Sequence, residues 1–142
     1  MPANTTPIFV LTPNVGTARI TAAATASNGD GTLFSVINAG VNGTRVDAVR
    51  FRNSQVTLAA STAMVHRIYY SATNVAGSAT CRLVGEVATA TATRTTAAVG
   101  ATSLYTFDLP LIMSSGSGLF VGQSAYAGVQ DQFDAQAFAG DY

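Results

Sequence analysis

Charged side chains are scarce in this chain: 10% of its 142 residues, against about 25% in a typical soluble domain. Lysine is absent, all seven basic residues being arginine, and Glu86 is the one glutamate. Helices laced by Glu–Lys pairs four residues apart are therefore excluded. The net charge is zero. That removes the basic balance of a sequence-independent nucleic-acid binder and favours association over solitary life in solution. Tryptophan is missing, which counts against a sugar-stacking platform. A single cysteine, Cys81, leaves no intrachain disulfide and no cysteine-based zinc site. A single histidine, His66, removes most metal and triad arrangements. No apolar run approaches the roughly eighteen residues that a membrane helix needs, so no membrane partner is expected. The opening Met1-Pro2-Ala3-Asn4-Thr5-Thr6-Pro7 lacks a basic stretch followed by an apolar one, so no signal peptide is expected.

What is present is a period of two. No stripe at i, i+3, i+4, i+7 is sustained, whereas alternation of apolar and polar residues recurs. In Thr80 to Val87, Cys81, Leu83 and Val87 point one way and Thr80, Arg82 and Glu86 the other, as in a half-buried strand. In Ala63 to Ser71, Met64, His66, Ile68 and Tyr70 share a face. Thr44 to Asn53 changes phase midway: Val46 and Ala48 alternate with Arg45 and Asp47, then Val49 and Phe51 with Arg50 and Arg52. One buried face cannot survive that change, which predicts a β-bulge near Ala48–Val49. Further strands are expected over Ile8–Leu11, Thr17–Thr25, Thr32–Asn38, Gln55–Ala59, Leu104–Leu109, Gly118–Gln123 and Phe133–Ala139. Asn28-Gly29-Asp30-Gly31 and Asn42-Gly43 are turn sequences, because Asn, Asp and Gly tolerate positive φ. Ser114-Ser115-Gly116-Ser117-Gly118 marks a connection. Pro13 and Pro110 fit strand ends or edge strands, since proline donates nothing to a ladder. The stretch from Ala88 to Ala101, rich in Ala, Thr and Val, allows a strand or a long loop.

About eight to ten short strands without helices between them predict an all-β fold: an antiparallel β-sandwich, jelly-roll-like. The length suits one domain, long enough to bury roughly two-thirds of its unfolded surface. The expected organisation is an extended N-terminal arm over residues 1–13 and a single sandwich domain over 14–142.

Candidates for chemistry are few. His66 shares its face with apolar residues, and no nucleophile-elbow pattern accompanies it, so a structural histidine is expected. Cys81 lies on an apolar phase and reads as an inert buried thiol. Asp131 and Asp134 stand close in sequence, and Asp30 lies in a turn. Calcium, however, wants six to eight oxygens and no such loop is present, so turn and capping roles are expected. No catalytic residue, metal ligand or cofactor site is assigned. The arginines form the more informative set. Arg45, Arg50 and Arg52 lie on one strand, Arg67 and Arg82 on others, placed to pair with Asp47 and Glu86 across strands. Arginine without lysine is also the bias of a subunit interface.

Several short segments resemble small virion structural proteins of tailed bacteriophages, of the capsid decoration (cement) type. They are Asn4-Thr5-Thr6-Pro7-Ile8-Phe9, Arg67-Ile68-Tyr69-Tyr70, Leu109-Pro110-Leu111, Gly118-Leu119-Phe120-Val121 and the closing Ala139-Gly140-Asp141-Tyr142. The resemblance implies a β-sandwich subunit, a homotrimer clamped outside an icosahedral shell at three-fold or quasi-three-fold positions. The major capsid protein would be its partner and the capsid exterior its location, after synthesis in the host cytoplasm. It brings no catalytic residues with it. The expected interface comprises Pro7, Ile8, Phe9, Val10 and Leu11 of the arm, able to add a strand to a neighbour's sheet, together with Arg50 and Arg52. The alternatives are a tail, neck or fibre module touching the host surface or its glycans, and a small enzyme or carbohydrate-binding module.

Overall fold

The computed structural model describes residues 12–55, 58–95 and 99–142. Eight strands run β1 (Thr12–Ile20), β2 (Phe34–Asn38), β3 (Thr44–Asn53), β4 (Met64–Ser71), β5 (Cys81–Thr89), β6 (Thr102–Met113), β7 (Gly118–Gln123) and β8 (Phe133–Asp141). The one helical element among the described residues is a single 3-10 turn, Val129–Asp131. No helix there is long and apolar enough to cross a membrane.

The strands form two four-stranded sheets, β1-β8-β3-β6 and β2-β7-β4-β5. Every pairing is antiparallel. The chain is therefore an all-β sandwich. Its connectivity has a simple rule: the first strand pairs with the last, the second with the seventh, the third with the sixth, the fourth with the fifth. Only the β4–β5 hairpin connects neighbours within a sheet; every other link carries the chain from one sheet to the other. The Asn42-Gly43 and Ser114–Gly118 turns thus serve as crossovers. The left-handed φ of Gly29, Gly31 and Gly43 (93°, 98° and 95°) is the conformation their turn sequences predict.

The inner faces of the sheets share one core. Val49, Phe51, Phe133, Ala135 and Ala137 of the first sheet meet Val36, Met64, Ile68, Leu119 and Val121 of the second. Fully burying each large aliphatic or aromatic side chain contributes about 1.5–3 kcal/mol. A smaller cluster, Tyr69, Cys81 and Phe120 under Leu33, lies on the outer side of the second sheet. The segment between β1 and β2 covers it: Ala24 N–H donates to the Gln123 carbonyl at 2.8 Å and the Tyr69 hydroxyl to the Ala26 carbonyl at 3.3 Å. Strand β7 is consequently buried along its whole length. That accounts for its near-continuous apolar sequence.

The phase change in β3 is a register shift between Val46 and Ala48, felt by both neighbours, β6 and β8. Val46, Val49 and Phe51 all reach the core as a result. Met64, His66 and Ile68 are buried together on β4, and Tyr70 packs partly against the same core. Prolines 13 and 110 lie on β1 and β6, the two edge strands of the first sheet.

Several expectations need correction. The strand expected over Thr17–Thr25 runs Thr12–Ile20, because residues 21–25 leave the first sheet to cover the second. Cys81 and Leu83 do not share a face with Val87. A shift at Val84 pairs Leu83 with Tyr69 on the outer side and Gly85 with Ile68 on the core side. Gly85 leaves room there for the Tyr105 ring, which a Cβ would meet at 2.6 Å and displace. Gln55 and Ala59 are not in a strand; the Gln55 side chain instead donates to the Ala59 carbonyl at 2.8 Å, while residues 56 and 57 lie outside the described residues. Strand β6 extends past Leu109 to Met113. Of the stretch from Ala88 to Ala101, only Ala88 and Thr89 belong to β5; Thr93 makes an isolated bridge to Ala60. Of the arm over residues 1–13, Thr12 and Pro13 open β1. The remainder, with the strand expected over Ile8–Leu11, lies outside the described residues.

Candidate functional site

His66 is shut inside the core. Its ring stacks on Phe51, with centroids 4.4 Å apart and planes 7° apart, and meets Phe133 at 4.5 Å. Neither ring nitrogen has a hydrogen-bond partner. Burial pushes its pKa from 6.5 down to about 3, so it stays neutral. Among the described residues, its ring neighbours are aromatic. Cys81 is buried in the outer cluster.

The carboxylates do not converge. Asp131 is fully buried and accepts from two backbone amides, Thr62 N–H at 2.6 Å and Ala127 N–H at 2.7 Å. Asp134 pairs instead with Arg19 at 2.9 Å. Asp30 closes its turn by accepting from the Asn28 amide at 2.9 Å; bonds from Ser78 and Asn28 hold its carboxyl below the usual range. Among the described residues no three of His, Cys, Asp and Glu come together as a metal site.

The outer face of the first sheet is where polar side chains gather. The register sets them in rows across the strands. Arg19 of β1, Asp134 of β8 and Arg52 of β3 form one row. Thr17, Gln136, Arg50 and, on β6, Leu104 form the next. Side chains directly opposite one another in such rows stand about 5 Å apart at Cβ. The rows' members on β1, β8 and β3 line an open groove of about 580 Å³, with Leu104 beside it. Arg50 is fixed within it: its guanidinium donates to the Gln136 side-chain amide oxygen (Oε1) and lies 5.3 Å from the centre of the Phe138 ring. Such a contact holds a cation in place while leaving its outer side free. Arg94 adjoins the groove, donating to the Gln55 carbonyl at 2.9 Å.

Arg50 and Arg52 therefore come together, two residues apart on one face, with Arg19 beside them. Pro7, Ile8, Phe9, Val10 and Leu11 lie outside the described residues. Of the pairings expected across strands, Glu86 takes Arg67 of the neighbouring strand at 2.8 Å; Asp47 instead pairs along its own strand, with Arg45 at 2.8 Å. Arg19, Gln136 and Phe138 escaped the sequence reading, which gave Asp134 only a turn or capping role. Their signal is the pairing of the first strand with the last, which no local pattern announces.

Beside the groove, β6 is exposed and apolar. Between Thr106, opposite Ala48, and Leu111, opposite Val46, residues 107–110 stand against Asp47 alone, so the strand bows outward. At this bow Leu109 is 84% exposed, and Leu104 and Ile112 flank it at 55% and 58%. Comparison with protein-family models, curated proteins and solved structures finds no match to this chain.

Proposed function

We propose that the chain is a non-enzymatic virion structural subunit, a capsid decoration (cement) protein that self-associates as a homotrimer and binds the outside of an icosahedral phage shell. The observation that carries this reading is the face of the first sheet. There, β6 presents Leu104, Leu109 and Ile112 to solvent beside an arginine-lined groove, in a chain with zero net charge and 10% charged residues. Exposed apolar side chains next to desolvatable arginines are the composition of an interface.

The strand pairing supports the same reading. A ribbon folded at β4–β5, with its two arms paired along their length and wrapped into two sheets, is the plan of a jelly roll, an architecture common among capsid proteins. We take the fold to be a jelly roll on that ground. In such a role no side chain does chemistry. Modest contacts become strong by repetition, because each copy is tethered to a lattice of identical sites.

The test is the mass of the purified chain by light scattering after size exclusion. A stable species at three times 14.5 kDa is the expected result. A monomer at every concentration would remove self-association from the proposal. Quantifying the protein in purified particles then separates a shell protein, present at every three-fold position, from a tail part confined to one vertex.

A further inference from the structure

The chain holds seven arginines and seven carboxylates, all among the described residues. Twelve of these fourteen are satisfied within the molecule. Arg19 pairs with Asp134, Arg45 with Asp47 and Arg67 with Glu86. Arg50 bonds Gln136, Arg82 bonds the Ser78 and Cys81 carbonyls, and Arg94 bonds the Gln55 carbonyl. Asp30 takes Asn28, Asp131 the Thr62 and Ala127 amides, and Asp141 the Asn14 amide and the Thr44 hydroxyl. Two remain. Among the described residues, Arg52 is the one arginine, and Asp108 the one carboxylate, that makes no hydrogen bond or ion pair.

These two cannot meet within one molecule. Asp108 lies on the bow of β6 opposite Asp47, and Arg52 is five residues further along β3. At 3.3–3.4 Å per residue that is a separation of about 16 Å along the sheet. The surroundings of the two are complementary as well. Asp108 stands on a protrusion, next to Leu109, among the most exposed of the large apolar side chains. Arg52 stands in the groove, with Leu104 on the adjoining row.

We propose that the Asp108–Leu109 tip of one copy seats in the arginine groove of a second copy, the Asp108 carboxylate meeting the Arg52 guanidinium and Leu109 covering Leu104. This rests on the self-association proposed above and names the contact that makes it. Arg19 and Arg50, already held by Asp134, Gln136 and Phe138, keep the groove electropositive and pre-shaped, so docking orders few additional side chains. Two different residues can pair reciprocally about a two-fold axis or head to tail; the proposed trimer takes the head-to-tail form, each copy offering its tip to one neighbour and its groove to the other so that the contacts close a ring.

The experiment is charge reversal read by mass. Arg52→Glu and Asp108→Arg each set like charges against each other at the contact. Each single variant should fall threefold in mass, to the single chain's 14.5 kDa, while its circular dichroism spectrum stays that of the parent. The double variant, with the pair inverted, should regain the parent's mass. A parent chain that is itself monomeric at every concentration overturns self-association altogether. An assembled parent whose single variants remain assembled overturns this contact alone and leaves self-association standing. Dissociated single variants that the double variant does not restore overturn the pairing of these two residues.

Discussion

The His66 imidazole lies flat on the Phe51 ring, 4.4 Å between centroids and 7° between planes, with both nitrogens unpartnered. An imidazole in that position behaves as a flat apolar filler, and its proton affinity is altered accordingly. The neutral form belongs to the folded state, with a pKa of about 3, and the unfolded chain titrates near 6.5. The unfolded state therefore binds more protons below pH 6.5. The titration of His66 leaves stability unchanged above that value and destabilises the fold progressively as pH falls toward 3. At about 1.4 kcal/mol per pH unit, roughly 2 kcal/mol should be lost between pH 7 and 5. Urea unfolding of the parent and of His66→Phe at both pH values isolates this contribution. Equal losses in the two proteins would show that His66 is not its source.

Asp131 is the anchor of the β7–β8 connection. Its carboxylate is buried and satisfies the Thr62 and Ala127 amides. Asp131→Ala leaves both amides without an acceptor, at about 1–3 kcal/mol each. Asp131→Asn keeps one acceptor and turns an NH₂ against the other amide, so its loss should be smaller than alanine's. Thermal melts of the three proteins check the order: parent, then asparagine, then alanine. An alanine variant as stable as the parent would refute the anchoring role.

Gly16 lies where β1 passes over β2. A Cβ there would stand 2.1 Å from the Val36 carbonyl oxygen and 2.6 Å from the Ile37 Cβ. Backbone must move to admit it, so Gly16→Ala should lose at least the 1–3 kcal/mol of an overpacked core. Gly77, whose Cβ would meet nothing within 4 Å, offers the contrast. Alanine there has only its positive φ of 128° to bear, and the smaller drop in melting temperature should separate strain from collision.

Cys81 should not react with an aromatic disulfide reagent while the protein is folded, because its thiol lies beneath the β1–β2 segment with Tyr69 and Phe120. In denaturant it should react at once. Fast labelling under native conditions would mean that this cover opens readily.

The strands were legible wherever pairing left one face wet and one face dry. Strands β3 and β7 have the bounds their alternation and apolar run predict, and the β3 phase change showed in the sequence because Val46 and Val49 both demand the core. The shift at Val84 did not show: Gly85 carries no hydropathy to reveal which way it faces. The end of β1 was hidden for a related reason, since Ala22, Ala23 and Ala24 suit a strand and a covering segment equally. Half of the groove was legible. Arg50 and Arg52 share a face by simple alternation. Arg19 and Asp134 meet across more than a hundred residues of chain, and only the sheet order brings them together.

That pairing of the first strand with the last also governs the order of events in folding. The β4–β5 hairpin, the one pair of strands adjacent in both sequence and sheet, closes over residues 72–80 and can form early. The contact between β1 and β8, tied by Asn14 and Asp141 at a separation of 127 residues, closes nearly the longest loop the chain possesses. Contacts so remote slow folding. During synthesis, β1 must wait as an unpaired edge until β8 has left the ribosome, since β8 is its one partner in the sheet. Removing β8 should therefore leave the chain aggregation-prone rather than slightly shortened.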